Sequence, residues 1–163
     1  MKAYERITTS SKYDLARPSH ETRYRIAGGF TQSGDVVLDA GCGTGYGKQF
    51  IRGTYFGVDK YKGDNIVADL ETWQPDFSYD VFIGLEIIEH LKDYSNFVNI
   101  AKRAKKWIII STPLIKTKKA NPFHLHDFTI QKIEKLFIDD NWKRYNILIQ
   151  EVKYGIFIFK KIK

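Results

Sequence analysis

The 163 residues carry 26 Lys+Arg against 19 Asp+Glu, a formal net charge of +7, with 43% hydrophobic and 28% charged side chains. That balance excludes a disordered or fibrous chain, and apolar runs as short as Val81 to Ile83 and Trp107 to Ile110 fall far below a membrane span. A single cysteine, Cys42, excludes an internal disulfide framework and a multi-cysteine zinc site.

The length suits one domain over residues 1–163, burying roughly 70% of its unfolded surface. The first fourteen residues lack the apolar core of a secretory signal, so a cytoplasmic protein with no membrane contact is expected. In chain order, Ser19 to Phe30 reads as a helix stopped by Gly28-Gly29. Val36 to Leu38 reads as a strand buried on both faces. It runs into the turn Gly41-Cys42-Gly43-Thr44-Gly45-Tyr46-Gly47 and a short helix to about Ile51. Further strands are expected at Tyr55 to Val58 (ending on Asp59), Ile66 to Ala68 (ending on Asp69) and Tyr79 to Leu85. A helix follows from about Asp93 to Lys105, then a fifth strand from Trp107 to Ile110. Thr129 caps a helix with Ile130, Ile133, Leu136 and Phe137 on one face. Tyr145 to Val152 and Tyr154 to Ile162 close the chain as an antiparallel hairpin. The predicted architecture is an α/β three-layer sandwich around a mostly parallel sheet. The link from Asp59 to Ile66 is too short for a helical crossover, so that helix is expected to be missing.

A strand, a glycine-rich turn and a helix make a ligand site, because glycines admit a close approach of backbone to ligand. The dinucleotide pattern fails in both frames, with Tyr46 and Lys48 where glycines are needed, and no Lys-Ser or Lys-Thr marks a phosphate loop. The motif is instead D-x-G-x-G-x-G with Asp39 before the turn, where a carboxylate repels pyrophosphate and welcomes an ammonium group. Asp59 ends the next strand, placed to accept from ribose hydroxyls, and Asp69 the third, placed to accept from an exocyclic amine. S-adenosyl-L-methionine has those three features and no phosphate.

VVLDAGCGTGYG, GVDK, VADL and YDVFIGLEIIEHL, in that order from Asp35 to Pro113, resemble the successive motifs of class I, Rossmann-like S-adenosylmethionine-dependent methyltransferases. The resemblance implies a seven-stranded sheet with a reversed final strand and S-adenosyl-L-homocysteine as product. It implies that Asp39, Gly41, Cys42, Gly43 and Gly45 hold the methionine end, with Glu86 beside it. Asp59 and Lys60 would meet the ribose, and Asp69 and Leu70 would frame the adenine. His20-Glu21-Thr22-Arg23-Tyr24 resembles the H-x-x-R-Y helix of some sugar and small-molecule methyltransferases, which implies that Arg23 pairs with the methionine carboxylate. Residues 1–32 would then cover the cofactor, with Tyr4, Tyr13 and Arg17 toward the acceptor.

A hydroxyl acceptor must lose its proton to a base or to a metal that lowers its pKa. Glu89, His90, His124 and His126 are the catalytic candidates. Glu86, Glu89 and His90 stand at i, i+3, i+4 and share one face of a helical turn. In small-RNA and ubiquinone-pathway O-methyltransferases, a similar Glu-x-x-Glu-His segment helps hold a divalent metal, which implies Glu86, Glu89, His90 and His126 as a metal set. In many sugar and small-molecule relatives a similar Glu-His pair, with an NPFH-like loop, works without one, so both readings stand. Lys116, Lys118 and Lys119 flank the expected acceptor loop and favour an anionic acceptor, nucleic acid included. Lys102, Arg103, Lys105 and Lys106 are expected to complement a helix dipole. The acceptor is expected to be held by the first thirty residues, by a second subunit of a homodimer, or by its own bulk.

The expected activity is methyl transfer to oxygen, or less favourably nitrogen, of a small polar, sugar-like or nucleotide-linked acceptor. A metal-assisted RNA ribose 2′-O-methyltransferase and a non-catalytic cofactor-binding partner subunit are the alternatives.

Overall fold

The computed structural model describes residues 17–163. Seven strands form one sheet: β1 (Val36–Ala40), β2 (Thr54–Asp59), β3 (Ile66–Val67), β4 (Val81–Leu85), β5 (Trp107–Pro113), β6 (Trp142–Gln150) and β7 (Tyr154–Lys161). Their order is β3-β2-β1-β4-β5-β7-β6. Strands β1 to β5 run parallel, while β7 lies antiparallel to both β5 and β6. Successive side chains of a strand face opposite ways. Leu38, Phe82, Ile108 and Ile110 therefore join one core, with α2 (Ser95–Lys102) and α3 (Ile130–Phe137) upon it. Val37, Val81, Ile83 and Ile109 join the other, beneath α1 (Arg17–Gly28). This is the three-layer α/β sandwich that the alternation of elements predicts.

Local chemistry explains the boundaries. The Thr129 hydroxyl caps α3 by accepting from the Lys132 amide at 3.2 Å. α2 lies close enough to β4 that a Cβ on Gly84 would stand 2.5 Å from the Phe97 ring. Between β2 and β3 no helix forms. The Asn65 amide instead donates to Tyr61 O at 3.2 Å and Ile66 O at 2.9 Å, knitting a tight connection to a strand of two residues.

Several predicted ends move. β4 starts at Val81, not Tyr79, because the Tyr79 hydroxyl is drawn to Ile100 O and Asp80 accepts from the Val36 amide. β6 begins at Trp142, where a register shift between Arg144 and Asn146 breaks the alternation that the sequence reading followed. It stops at Gln150, since Glu151 and Val152 turn with φ of 53° and 57°. In the basic cluster at the end of α2, Lys102 lies in the helix's last turn and meets Asp139 at 2.9 Å, while Lys106 beyond the helix meets Asp35 at 2.6 Å and Asp80 at 3.3 Å.

Candidate active site

β1 connects outward to β2 while β4 lies on its other side, so the carboxyl ends of β1 and β4 flank the point where strand order reverses. A cleft of about 460 Å³ opens there. Its floor includes Gly41, Cys42 and Gly43 from the turn after β1, and Leu85, Glu86 and Ile87 from the end of β4. Gly41 has φ of 80°, and a Cβ there would lie 2.7 Å from the Ile87 side chain, so only glycine fits between turn and strand.

At one end stand Asp59, Lys60, Tyr61 and Leu70. The Gly43 amide donates to Asp59 Oδ2 and the Tyr61 amide to Oδ1, each at 2.9 Å. Each carboxylate oxygen keeps further accepting capacity, so the two stand fixed as a pair suited to adjacent hydroxyls. Asp69 is outside the cleft wall, paired to Lys60 at 2.7 Å, and that bond holds its carboxyl below the usual range.

Asp39 also lies outside the wall, fully buried beneath the turn. Its Oδ2 accepts from the hydroxyls of Tyr24 (2.8 Å) and Tyr55, while Oδ1 is buried without a hydrogen-bond partner. Burial pushes the carboxyl up to about 6 against the pull of both hydroxyls. Tyr24, which donates to Asp39, itself lines the cleft. Gly45, also outside the wall, supports the turn with φ of 80°.

At the other end Glu89, His90 and His124 converge, with one ligand atom from each lying within 4.8 Å of the others. Glu89 is 1% exposed; its Oε2 accepts from the Thr112 hydroxyl at 3.1 Å and its Oε1 is buried without a partner. Burial first, then the neighbouring Glu86, pushes its carboxyl well above the ordinary value. His90 Nδ1 lies 3.1 Å from Phe123 O. A carbonyl only accepts, so Nδ1 carries the proton and the lone pair of the neutral ring is on Nε2. His124 Nδ1 lies 2.6 Å from the Thr117 hydroxyl, and its ring meets His90 edge to face at 4.7 Å.

His126, expected in this group, belongs elsewhere. Its Nε2 donates to Leu91 O at 2.9 Å and its ring packs on Tyr94 and Phe128. The Leu125 and His126 amides both donate to Glu89 O, which fixes the loop so that His124 faces the cleft. Glu86 lines the cleft but turns its Oε1 to the Ser111 hydroxyl at 2.7 Å, with Arg23 at 3.9 Å, and does not join the three. Arg23 is 1% exposed behind the wall. Lys116, Lys118 and Lys119 are exposed on the loop after β5, which Asp127 pins by accepting from the Thr117 and Lys118 amides. Tyr4 and Tyr13 lie outside the described residues.

Sequence reasoning missed Tyr154, which lines the cleft. Its signal was the hairpin itself: a reversed last strand puts its first residue at the carboxyl edge, here opposite Pro113. Tyr55, the second partner of Asp39, had no signal beyond its place two residues before Gly57, the strand neighbour of Asp39.

Among the described residues no helix is long and apolar enough to cross a membrane. Residues 13–146 match the family model of a methyltransferase domain. A probable S-adenosylmethionine-dependent methyltransferase of Mycobacterium tuberculosis is 30% identical over 63% of this chain and 47% of its own length. The chain thus spans about half the length of the curated relatives it matches. Among solved structures, a SAM-dependent methyltransferase from Aquifex aeolicus superposes with a TM-score of 0.71 at 14% identity, over 91% of this chain and 94% of that one. An O-methyltransferase from a Brevibacillus brevis trans-AT PKS multienzyme, bound to S-adenosyl-L-homocysteine, gives 0.65 at 13%, over 96% and 81%. With its motifs in order, this sheet topology and a family match over most of its length, the chain belongs to the methyltransferase-domain family, as a class I, S-adenosylmethionine-dependent member.

Proposed function

We propose that the domain transfers the methyl group of S-adenosyl-L-methionine to a hydroxyl of a small polar, sugar-like or nucleotide-linked acceptor, releasing S-adenosyl-L-homocysteine. The observation that carries this is the convergence of Glu89, His90 and His124 at the end of the cleft opposite Asp59. Asp59 accepts from the ribose hydroxyls, and Leu70 with the backbone beside it frames the adenine. Arg23, behind Glu86 and Tyr154 of the cleft wall, faces the methionine carboxylate with Nη1, which makes no hydrogen bond and lies 3.9 Å from Glu86. The methyl carbon then faces the acceptor end. Transfer is an in-line displacement: the acceptor oxygen forms the new bond to carbon as the carbon–sulfur bond breaks, and the sulfonium becomes a neutral thioether. Alignment supplies much of the acceleration. The acceptor proton passes to Nε2 of His90 or to His124, and the Glu89 carboxyl lies close by to take up charge. Exposed Lys116, Lys118 and Lys119 beside this end favour an anionic acceptor.

A second reading is favoured by the same three residues. A buried carboxylate oxygen without a partner, beside two imidazoles, one of them oriented through a backbone carbonyl, fits the donor set for a divalent ion. When bound, such an ion lowers the pKa of an acceptor hydroxyl, as a metal-assisted RNA ribose methyltransferase requires.

Tritiated donor incubated with fractionated small molecules and RNA tests the proposal: label should enter a hydroxyl-bearing fraction, and His124→Ala should reduce it on the order of 10²-fold or more. Donor binding without transfer to any fraction would instead support a non-catalytic partner subunit. Turnover unchanged by chelation sinks the metal reading, and activity insensitive to salt counts against RNA.

A further inference from the structure

We propose that Gln150, the last residue of β6, is a positioning residue for the carboxylate end of the donor, acting through Arg23. Its amide oxygen accepts from Arg23 Nε at 2.7 Å, and its amide nitrogen donates to Ser19 O at 3.1 Å, so one side chain holds both the first turn of α1 and the guanidinium. The Ser19 hydroxyl bonds the adjacent Glu151, doubling the tie between hairpin and helix. Gln150 stands opposite Tyr154 in the β6–β7 register, and the guanidinium carbon sits 4.2 Å over the Tyr154 ring. The guanidinium is thus gripped on its Nε side by Gln150 and on its face by Tyr154, with Glu86 3.9 Å from Nη1. Nη1, buried and without a hydrogen bond, is the part left for an arriving carboxylate.

The turn carries strain that this geometry explains. Glu151 and Val152 both occupy the left-handed region, and Val152, β-branched, is 88% exposed, so its own packing does not compensate. The loop has three residues, Glu151 to Lys153, and its two positive φ values close the turn across which Gln150 and Tyr154 pair. Lys153 completes the anchorage, its amide donating to Gln150 O and its carbonyl accepting from Leu114.

The inference rests on S-adenosylmethionine as donor and on no particular acceptor, so binding alone tests it. S-adenosyl-L-homocysteine carries the carboxylate; 5′-methylthioadenosine has the same nucleoside and thioether but no amino acid. By calorimetry, Gln150→Met should weaken homocysteine-ligand binding roughly tenfold, the loss of one hydrogen bond to a charged group, and leave methylthioadenosine affinity unchanged. Equal weakening of both ligands, or no weakening of either, would overturn the proposal. If Gln150→Met does not fold, Gln150→Ala takes its place with the same expectations. Failure of the wild-type protein to bind either ligand would overturn the donor assignment itself.

Discussion

Asp39 shows what a motif residue does once its neighbours are known. Burial holds its carboxyl at about 6, against an ordinary value of 3.8, so the folded chain keeps that proton more tightly than the unfolded chain does. Stability from this group is therefore complete below the unfolded value and is lost as pH rises through the folded one, an effect of about 3 kcal/mol. Asp39→Asn removes the loss. Urea unfolding at about pH 4.5 and about pH 7 should show the wild-type protein falling relative to the variant by that order, and parallel curves would refute the assignment. At Gly41, alanine would meet both a positive φ and the Ile87 side chain, so Gly41→Ala should abolish donor binding in a thermal-shift titration while lowering stability by about 1–3 kcal/mol.

The cleft-facing histidine shows why single residues resist reading from sequence. His124 and His126 are chemically identical and two positions apart. Which one faces the cleft is decided by amide bonds to Glu89 O and by the aromatic pair Tyr94 and Phe128, all distant in sequence. The Gly41 to Gly47 turn was legible because its logic is local: an apolar strand, then residues able to take positive φ.

Among the elements, those with local signals were the most readable. Thr129 announces α3, and Thr129→Ala should cost about 1 kcal/mol in chemical denaturation, since the Lys132 amide loses its acceptor. β6 was read only from Tyr145 onward, because the register shift between Arg144 and Asn146 breaks the two-residue period. That shift has a use at an exposed sheet edge. Together with Lys143 and the Asn146 side chain, which accepts from the Ile147 amide, it blunts a strand that would otherwise offer unpaired groups to other chains. The turn beyond it is a place to gain stability: Val152→Gly should raise the unfolding free energy by about 1 kcal/mol by relieving the left-handed valine.

For the whole molecule, alternating strands and helices announced a covered parallel sheet, and the terminal hairpin was visible as two alternating runs without room for a crossover. The pairing of the two ends of the chain was not visible. Arg23 and Gln150 are 127 residues apart and meet because β6, antiparallel to β7 and so parallel to β5, ends at the carboxyl edge beside the start of α1. Contacts of that kind follow from closure of the fold rather than from any local pattern.

The tight connection between β2 and β3 leaves the nucleoside side of the cleft with little roof among the described residues: Tyr61 and Lys60 are exposed there, and no described helix shields them. A donor oriented as proposed would present its purine edge to open solvent. Synthetic donors enlarged at the exocyclic nitrogen should therefore bind with almost undiminished affinity in calorimetry, which would let a reporter be carried on the nucleoside without obstructing the cleft.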